Sequence, residues 1–188
     1  MSRPRPDQAP LPPVTLVLGG ARSGKSRYAE ALVESQPGAW IYLATAETLD
    51  HEMAERVRRH KARRSSRWTT VEQALELTPA LKAEARAGRA VLVDCLTLWL
   101  SNLMAAGRDS GAETEALTDA LGGLAGPVVL VSNEVGLGIV PDNAVARDFR
   151  DHAGRLNQAV AGVSQRVVFM AAGLPMVLKE RAAAEVAA

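Results

Sequence analysis

The sequence is poor in cysteine, in net charge and in long apolar runs, and each shortage excludes a class of protein. Its one cysteine, Cys95, excludes an intramolecular disulfide and a metal site built from several cysteines. The net charge is +1, from 22 basic and 21 acidic residues, so the overall electrostatic field does not favour binding to nucleic acid or to an anionic membrane. No apolar stretch is long enough to cross a bilayer. We therefore expect a cytoplasmic protein with a buried free thiol, no membrane insertion and no nucleic-acid partner.

The length of 188 residues, 47% of them hydrophobic, suits one globular domain. We expect residues 1–13, which are rich in proline, to form a disordered lead-in and not a signal peptide. The domain should cover residues 14–180, and the alanine-rich residues 181–188 should fray.

Eight consecutive residues fit the phosphate-binding pattern G-x-x-x-x-G-K-[ST] at every fixed position: Gly19, Gly20, Ala21, Arg22, Ser23, Gly24, Lys25 and Ser26. An apolar, β-branched run precedes them and a helical pattern follows, which is the strand-loop-helix setting that this pattern requires. Lys25 would reach the β- and γ-phosphates of a nucleotide, and the Ser26 hydroxyl would ligate Mg²⁺. The alternative is a turn capped by Ser23 with a solvated Lys25, which the flanking pattern disfavours.

Strand and helix patterns alternate along the rest of the chain. Strands are predicted at 39–44, 67–71, 90–94, 128–134 and 166–172, with an edge strand at 174–179; helices are predicted at 72–86, 95–104, 113–124 and 144–161. This alternation predicts a single P-loop NTPase-type α/β domain, a doubly wound, mainly parallel sheet with helices on both faces. The helix at 95–104 is apolar all round and should be buried or lie at an interface, whereas Asn157 should lie on a polar face of its helix.

Asp94 ends an apolar strand, as does the acidic residue of the second nucleotide-site motif, which holds Mg²⁺ directly or through water. The alternative role is an N-cap for the helix from Leu96. A further helix is predicted at 50–64, with six arginines and lysines between 56 and 64. Spacing alone favours a solvated basic surface there, and a segment facing nucleotide phosphates is the alternative.

Several stretches together resemble one known family. They are the phosphate loop with Arg27, residues 52–56 leading to His60, residues 93–97, and residues 132–141 followed by 146–151 and 154–158. They resemble the bifunctional adenosylcobinamide kinase/adenosylcobinamide-phosphate guanylyltransferase of cobalamin biosynthesis, and the resemblance covers residues 14–179. It implies a RecA-like domain that assembles as a homotrimer.

The resemblance also implies two reactions and a set of site residues. ATP or GTP phosphorylates adenosylcobinamide with Mg²⁺, and GMP from GTP then passes to adenosylcobinamide phosphate through a guanylylated histidine, giving adenosyl-GDP-cobinamide. His60 stands at the position of that histidine. The resemblance therefore reverses the preference for a solvated basic surface at residues 56–64. It also implies that Lys25 is the second catalytic residue. The nucleotide site would also include Ala46, Glu47, Thr48, Lys61, Ala62, Arg63, Arg64, Glu72 and Asp94. Whether Glu72 or Asp94 reads the guanine or ribose, or holds the metal, stays open.

Two other functions remain as alternatives. A P-loop small-molecule kinase without the transferase would leave His60 an ordinary surface residue. A GTP-binding regulatory protein would bind GTP and transfer nothing, but the N-K-x-D motif of GTPase switches is absent from the sequence.

Overall fold

Short runs rich in apolar, aromatic or β-branched residues form the strands, and helices lie between several of them along the chain. The computed structural model describes residues 10–46 and 65–181. Its elements are β1 (Val14–Gly19), α1 (Lys25–Glu34), β2 (Ala39–Ala44), β3 (Trp68–Glu72), α2 (Leu77–Glu84), β4 (Arg89–Asp94), α3 (Leu96–Ala105), α4 (Ser110–Leu121), β5 (Val128–Asn133), α5 (Ala144–Val163), β6 (Arg166–Ala171) and β7 (Leu174–Glu180). The helix predicted at 50–64 lies outside the described residues.

The seven strands form one sheet in the order β3-β2-β4-β5-β1-β6-β7. All neighbouring pairs are parallel except β6 and β7. The antiparallel exception follows from the two residues between these strands, because Ala172 and Gly173 both have positive φ, of 51° and 79°, as a tight hairpin turn requires. The predicted mainly parallel α/β domain is therefore confirmed.

Helices cover both faces of the sheet and divide the core into two layers. One layer lies between the sheet and α2, α3, α4 and α5, and the other contains the buried residues of α1. In α3, Leu96, Trp99, Leu100 and Leu103 are buried in the first layer. The apolar character of this helix is thus explained by burial within its own chain.

Two predicted helix starts are wrong. Glu72 does not begin a helix, because it is the last residue of β3 and pairs with Ala44 of β2. The helix expected from residue 113 begins at Ser110, because the Asp109 side chain accepts hydrogen bonds from the Gly111 and Ala112 N–H groups and caps it. In the described parts of the chain, no helix combines the length and the apolar character needed to span a membrane.

Candidate nucleotide-binding site

The phosphate loop joins the end of the central strand β1 to the start of α1, and crowded backbone contacts set its shape. A Cβ on Gly19 would lie 2.5 Å from the Met170 carbonyl oxygen, and the φ of Gly19 is +150°. Gly24, with φ of 98°, occupies the N-cap position of α1 and has no side chain to cap it. Ser23 accepts a hydrogen bond from Gly173 N–H at 3.0 Å through its backbone oxygen, so the β6–β7 turn supports the loop. The phosphate loop therefore packs against Met170 of β6 and is hydrogen-bonded to the β6–β7 turn.

Lys25 lies inside this loop and not in solvent. Its side chain is largely buried, with the residue 7% exposed, and Nζ donates a hydrogen bond to the Gly20 carbonyl at 2.6 Å. Burial lowers the pKa of Lys25, while the negative charge of Asp94, and that of Cys95 once its thiol is ionised, act in the opposite direction. The alternative prediction, a turn capped by Ser23 with a solvated Lys25, is wrong on both points. Lys25 is buried, and no side chain caps α1.

Asp94 ends β4 at the carboxyl edge of the sheet. Its Oδ2 accepts a hydrogen bond from the Tyr42 hydroxyl at 2.8 Å, which orients the carboxylate. The N-cap of α3 is Cys95, without a side-chain cap bond, so the N-cap role considered for Asp94 is wrong. The carboxylate is thus available for a role at the edge, near enough to Lys25 to affect its pKa.

The order of strands puts Asp94 and Glu72 at different distances from the phosphate loop. Neighbouring strands lie about 4.8 Å apart. In the observed order, β4 is two strands from β1 and β3 is four strands away, which places Asp94 roughly 10 Å and Glu72 roughly 19 Å from the loop along the sheet. The order of strands therefore places Asp94 nearer to the phosphate loop than Glu72.

Side-chain hydrogen bonds connect the loops at this edge. The Thr45 hydroxyl accepts from Cys95 N–H at 2.8 Å and donates to the Cys95 carbonyl at 2.7 Å. Asn102 donates to the Thr45 carbonyl at 2.8 Å. These contacts fix the segment that leads from β2 to Ala46, a residue expected at the nucleotide site.

The remaining predicted site residues lie outside the described residues: Glu47, Thr48, His60, Lys61, Ala62, Arg63 and Arg64. The structure therefore places the phosphate loop, Ala46, Glu72 and Asp94 along one edge of the sheet.

Cys95 is a buried free thiol, as predicted. Burial, followed by the Asp94 charge, raises its pKa from 9.0 to about 11. The thiol is neutral at physiological pH and is not a nucleophile there.

The end of β5 contains contacts that sequence reasoning missed. Thr97 is buried and accepts a hydrogen bond from Asn133 N–H at 2.7 Å. Glu134 N–H donates to the Gly19 carbonyl at 3.0 Å. Asn157 is only 6% exposed and donates to the Asn133 carbonyl at 3.1 Å, so its predicted place on a polar face is wrong. Helical periodicity alone cannot find such a residue, because a buried polar side chain breaks the pattern on which periodicity depends.

A phosphate loop after a central parallel strand, with an acidic residue ending a nearby strand, defines a P-loop nucleotide-binding α/β protein. Solved structures share this fold. The RadB recombinase matches with a TM-score of 0.52 at 15% identity, over 85% of this chain and 74% of that chain. A type III secretion system ATPase matches with a TM-score of 0.54 at 10% identity, over 92% and 60%.

Sequence comparison identifies the family. The model of the cobinamide kinase / cobinamide phosphate guanyltransferase family matches residues 15–178, and the chain belongs to this family. It is 51% identical to the bifunctional adenosylcobalamin biosynthesis protein CobP of Pseudomonas aeruginosa, over 87% of this chain and 96% of that protein. It is 40% identical to the corresponding CobU protein of Salmonella typhimurium, over 87% and 98%.

Proposed function

We propose that this chain catalyses two successive reactions. The first transfers the γ-phosphoryl group of ATP or GTP to adenosylcobinamide, and the second transfers GMP from GTP to adenosylcobinamide phosphate, giving adenosyl-GDP-cobinamide and pyrophosphate. The observation that carries the proposal is the family match over residues 15–178, which includes the complete phosphate loop with its buried lysine. The length covered in the bifunctional relatives supports both activities.

In the kinase step, residues 19–26 would enclose the phosphates of the nucleotide. The N–H groups at the start of α1 would face the negative charge of these phosphates, as at other helix N-termini. Lys25 would exchange its bond to the Gly20 carbonyl for the phosphate oxygens, which stabilises the charge on the transferred group.

The residues present fit a Mg²⁺ ion shared with the nucleotide. Ser26 and Asp94 offer a hydroxyl and a carboxylate, which are hard oxygen ligands. Within residues 10–46 and 65–181, no three His, Cys, Asp or Glu side chains lie together as a possible metal site. Phosphate oxygens and water would supply the other ligands of the ion. When bound, the ion would neutralise charge on the β- and γ-phosphates.

In the transferase step, a ring nitrogen of neutral His60 would attack the α-phosphorus of GTP. A P–N bond forms, the bond between the α-phosphorus and its bridging oxygen breaks, and pyrophosphate leaves. The phosphate of adenosylcobinamide phosphate then attacks the same phosphorus, which releases His60. Lys61, Arg63 and Arg64 follow His60 in sequence and would neutralise the phosphate charge, with Ala62 among them. Ala46, Glu47 and Thr48 would contact the nucleotide, and Glu72 would contact its guanine or ribose.

The covalent step is tested by incubating the protein with Mg²⁺ and GTP labelled at the α-phosphate. The unmodified protein should acquire a label that is labile in acid and stable in alkali, as expected for a phosphoramidate, and His60→Ala should acquire none. His51→Ala is a matched control, since it removes another histidine from the same predicted helix, and it should be labelled normally. A label of equal intensity in His60→Ala would exclude His60 as the nucleophile.

The same assay separates the alternatives. A kinase without the transferase would phosphorylate adenosylcobinamide and acquire no label from the α-phosphate. A GTP-binding regulatory protein would bind GTP and produce neither the label nor phosphorylated adenosylcobinamide.

We also propose that the protein is a cytoplasmic homotrimer. The exposed apolar residues after β5 support self-association, since Ile139 is 98% and Val145 74% exposed. Light scattering of the purified protein should give the mass of three chains, and Ile139→Glu should shift the population toward single chains. A single-chain mass for the unmodified protein at micromolar concentration would contradict the proposal.

A further inference from the structure

Two buried polar side chains bond the main chain of a single residue at the end of β5. The Thr97 hydroxyl accepts a hydrogen bond from Asn133 N–H at 2.7 Å, and the Asn157 amide donates to the Asn133 carbonyl at 3.1 Å. Thr97 and Asn157 are both buried, and burying a polar side chain costs free energy unless it is hydrogen-bonded. The two contacts therefore fix the position of the Asn133 main chain.

The order of strands places Asn133 between the phosphate loop and Asp94. β5 lies between β1 and β4 in the sheet. Asn133 pairs with Gly19, the first residue of the phosphate loop, whereas Asp94 pairs with Val131, two residues earlier in β5. Asn133 is thus level with the start of the loop and roughly 5 Å from it, which is one strand spacing.

The Asn133 side chain lies on the face of the sheet that α1 covers, because side chains alternate between the two faces along a strand. Val131 belongs to the core layer that contains the buried residues of α1, and Leu130 belongs to the other layer. Ser132 follows this alternation, since its hydroxyl lies 3.3 Å from the hydroxyl of Thr97 in α3, a helix of that other layer. Asn133 therefore shares the face of Val131.

Asp94 lies on this same face. Its carboxylate accepts a hydrogen bond from the hydroxyl of Tyr42, which belongs to the layer that contains the buried residues of α1. α1 begins at Lys25, directly after the phosphate loop, and packs against β4 and β5. The loop and the first turn of α1 are therefore close to the ends of both strands, where Asp94 and Asn133 lie.

The side chain of Asn133 is left free to bond a ligand. Within residues 10–46 and 65–181, its carboxamide has no hydrogen-bond partner, and the residue is partly exposed. The amide group Nδ2 is a neutral donor, and a hydrogen bond from it to an ionised phosphate oxygen is stronger than one to a neutral acceptor. The N–H groups of a phosphate loop enclose the α- and β-phosphates, so the γ-phosphate is the one that a side chain of the sheet can reach.

We propose that Asn133 donates a hydrogen bond through Nδ2 to an oxygen of the γ-phosphate, which rests on the nucleotide site of the proposed function. Lys25 then contacts this phosphate from the loop, and Asn133 contacts it from the sheet. Together they fix the orientation of the phosphoryl group while the acceptor hydroxyl attacks it. Thr97 and Asn157 are positioning residues for Asn133.

The test compares two nucleotides that differ only in the γ-phosphate. They are α,β-methylene-GTP and α,β-methylene-GDP, whose methylene bridge prevents transfer of GMP to a histidine. With Mg²⁺ present, Asn133→Ala should raise the Kd for the first roughly tenfold, since one charge-assisted hydrogen bond is lost, and leave the Kd for the second unchanged. Asn133→Asp should raise the Kd for α,β-methylene-GTP further, because its carboxylate would face the γ-phosphate. Calorimetric titration measures all four values.

Ser132→Ala is the matched control, because it removes a polar group from the adjacent residue of β5 on the opposite face of the sheet. It should change neither Kd, and thermal unfolding reports whether each variant is folded. If Asn133→Ala changes both Kd values equally, or changes neither, the assignment of Asn133 is overturned alone. If the unmodified protein binds both nucleotides and does not phosphorylate adenosylcobinamide, the proposed function is overturned, and the Kd comparison still decides the contact of Asn133.

Discussion

Replacing Gly19 with alanine should distort the phosphate loop, because the new methyl group has no room. Its Cβ would lie 2.5 Å from the Met170 carbonyl oxygen and 2.8 Å from Ser23 Oγ, at a φ of +150°. Overpacking costs roughly 1–3 kcal/mol, and an unfavourable φ costs a comparable amount. We expect a loss of about 3 kcal/mol in the free energy of unfolding, which lowers the Tm by about 6–12 °C in a domain of this size.

The neighbouring Gly20 provides a matched control. A Cβ at Gly20 would have nothing within 4 Å, and its φ is not positive. Gly20→Ala should therefore change the Tm by less than about 2 °C, since an unstrained alanine even restricts the unfolded chain. Thermal unfolding followed by circular dichroism, without nucleotide, measures both variants. Equal Tm values for the two would refute the close approach of Gly19 to β6.

Three further predictions concern residues at the carboxyl edge of the sheet. Cys95, with its raised pKa of about 11, should not react with a disulfide reagent at pH 8 until denaturant is added, and rapid native labelling would contradict its burial. Thr97→Val should lower the free energy of unfolding by about 1–3 kcal/mol, since it leaves the Asn133 N–H unpaired; a urea titration with an unchanged midpoint would argue against that bond. Asp94→Asn should lower kcat of the kinase step by roughly 100-fold and leave GTP affinity without Mg²⁺ unchanged, whereas an unchanged kcat would remove Asp94 from the metal site.

Local sequence patterns predicted the strands and the phosphate loop because their causes are local. Residues 14–18 are each apolar or β-branched, and Gly19, Gly24 and Lys25 occupy fixed positions of one motif. The burial of α3 could also be predicted from the sequence, since a helix that is apolar all round has no polar face to expose to solvent.

Features that depend on distant residues were not predictable in this way. The order of strands places β5 between β1 and β4, and this order decides that Asp94 lies closer to the phosphate loop than Glu72 does. The positions of Asp94 and Glu72 in the sequence do not indicate this order of strands. The buried Asn157 was missed for a related reason, because its partner is the Asn133 carbonyl, 24 residues earlier in the chain.

The most direct test of the central claim is to incubate the purified protein with adenosylcobinamide, GTP and Mg²⁺ and to determine the masses of the products. We expect adenosylcobinamide phosphate first and adenosyl-GDP-cobinamide later, with His60→Ala stopping at the phosphate. GTP binding without either product would contradict the account.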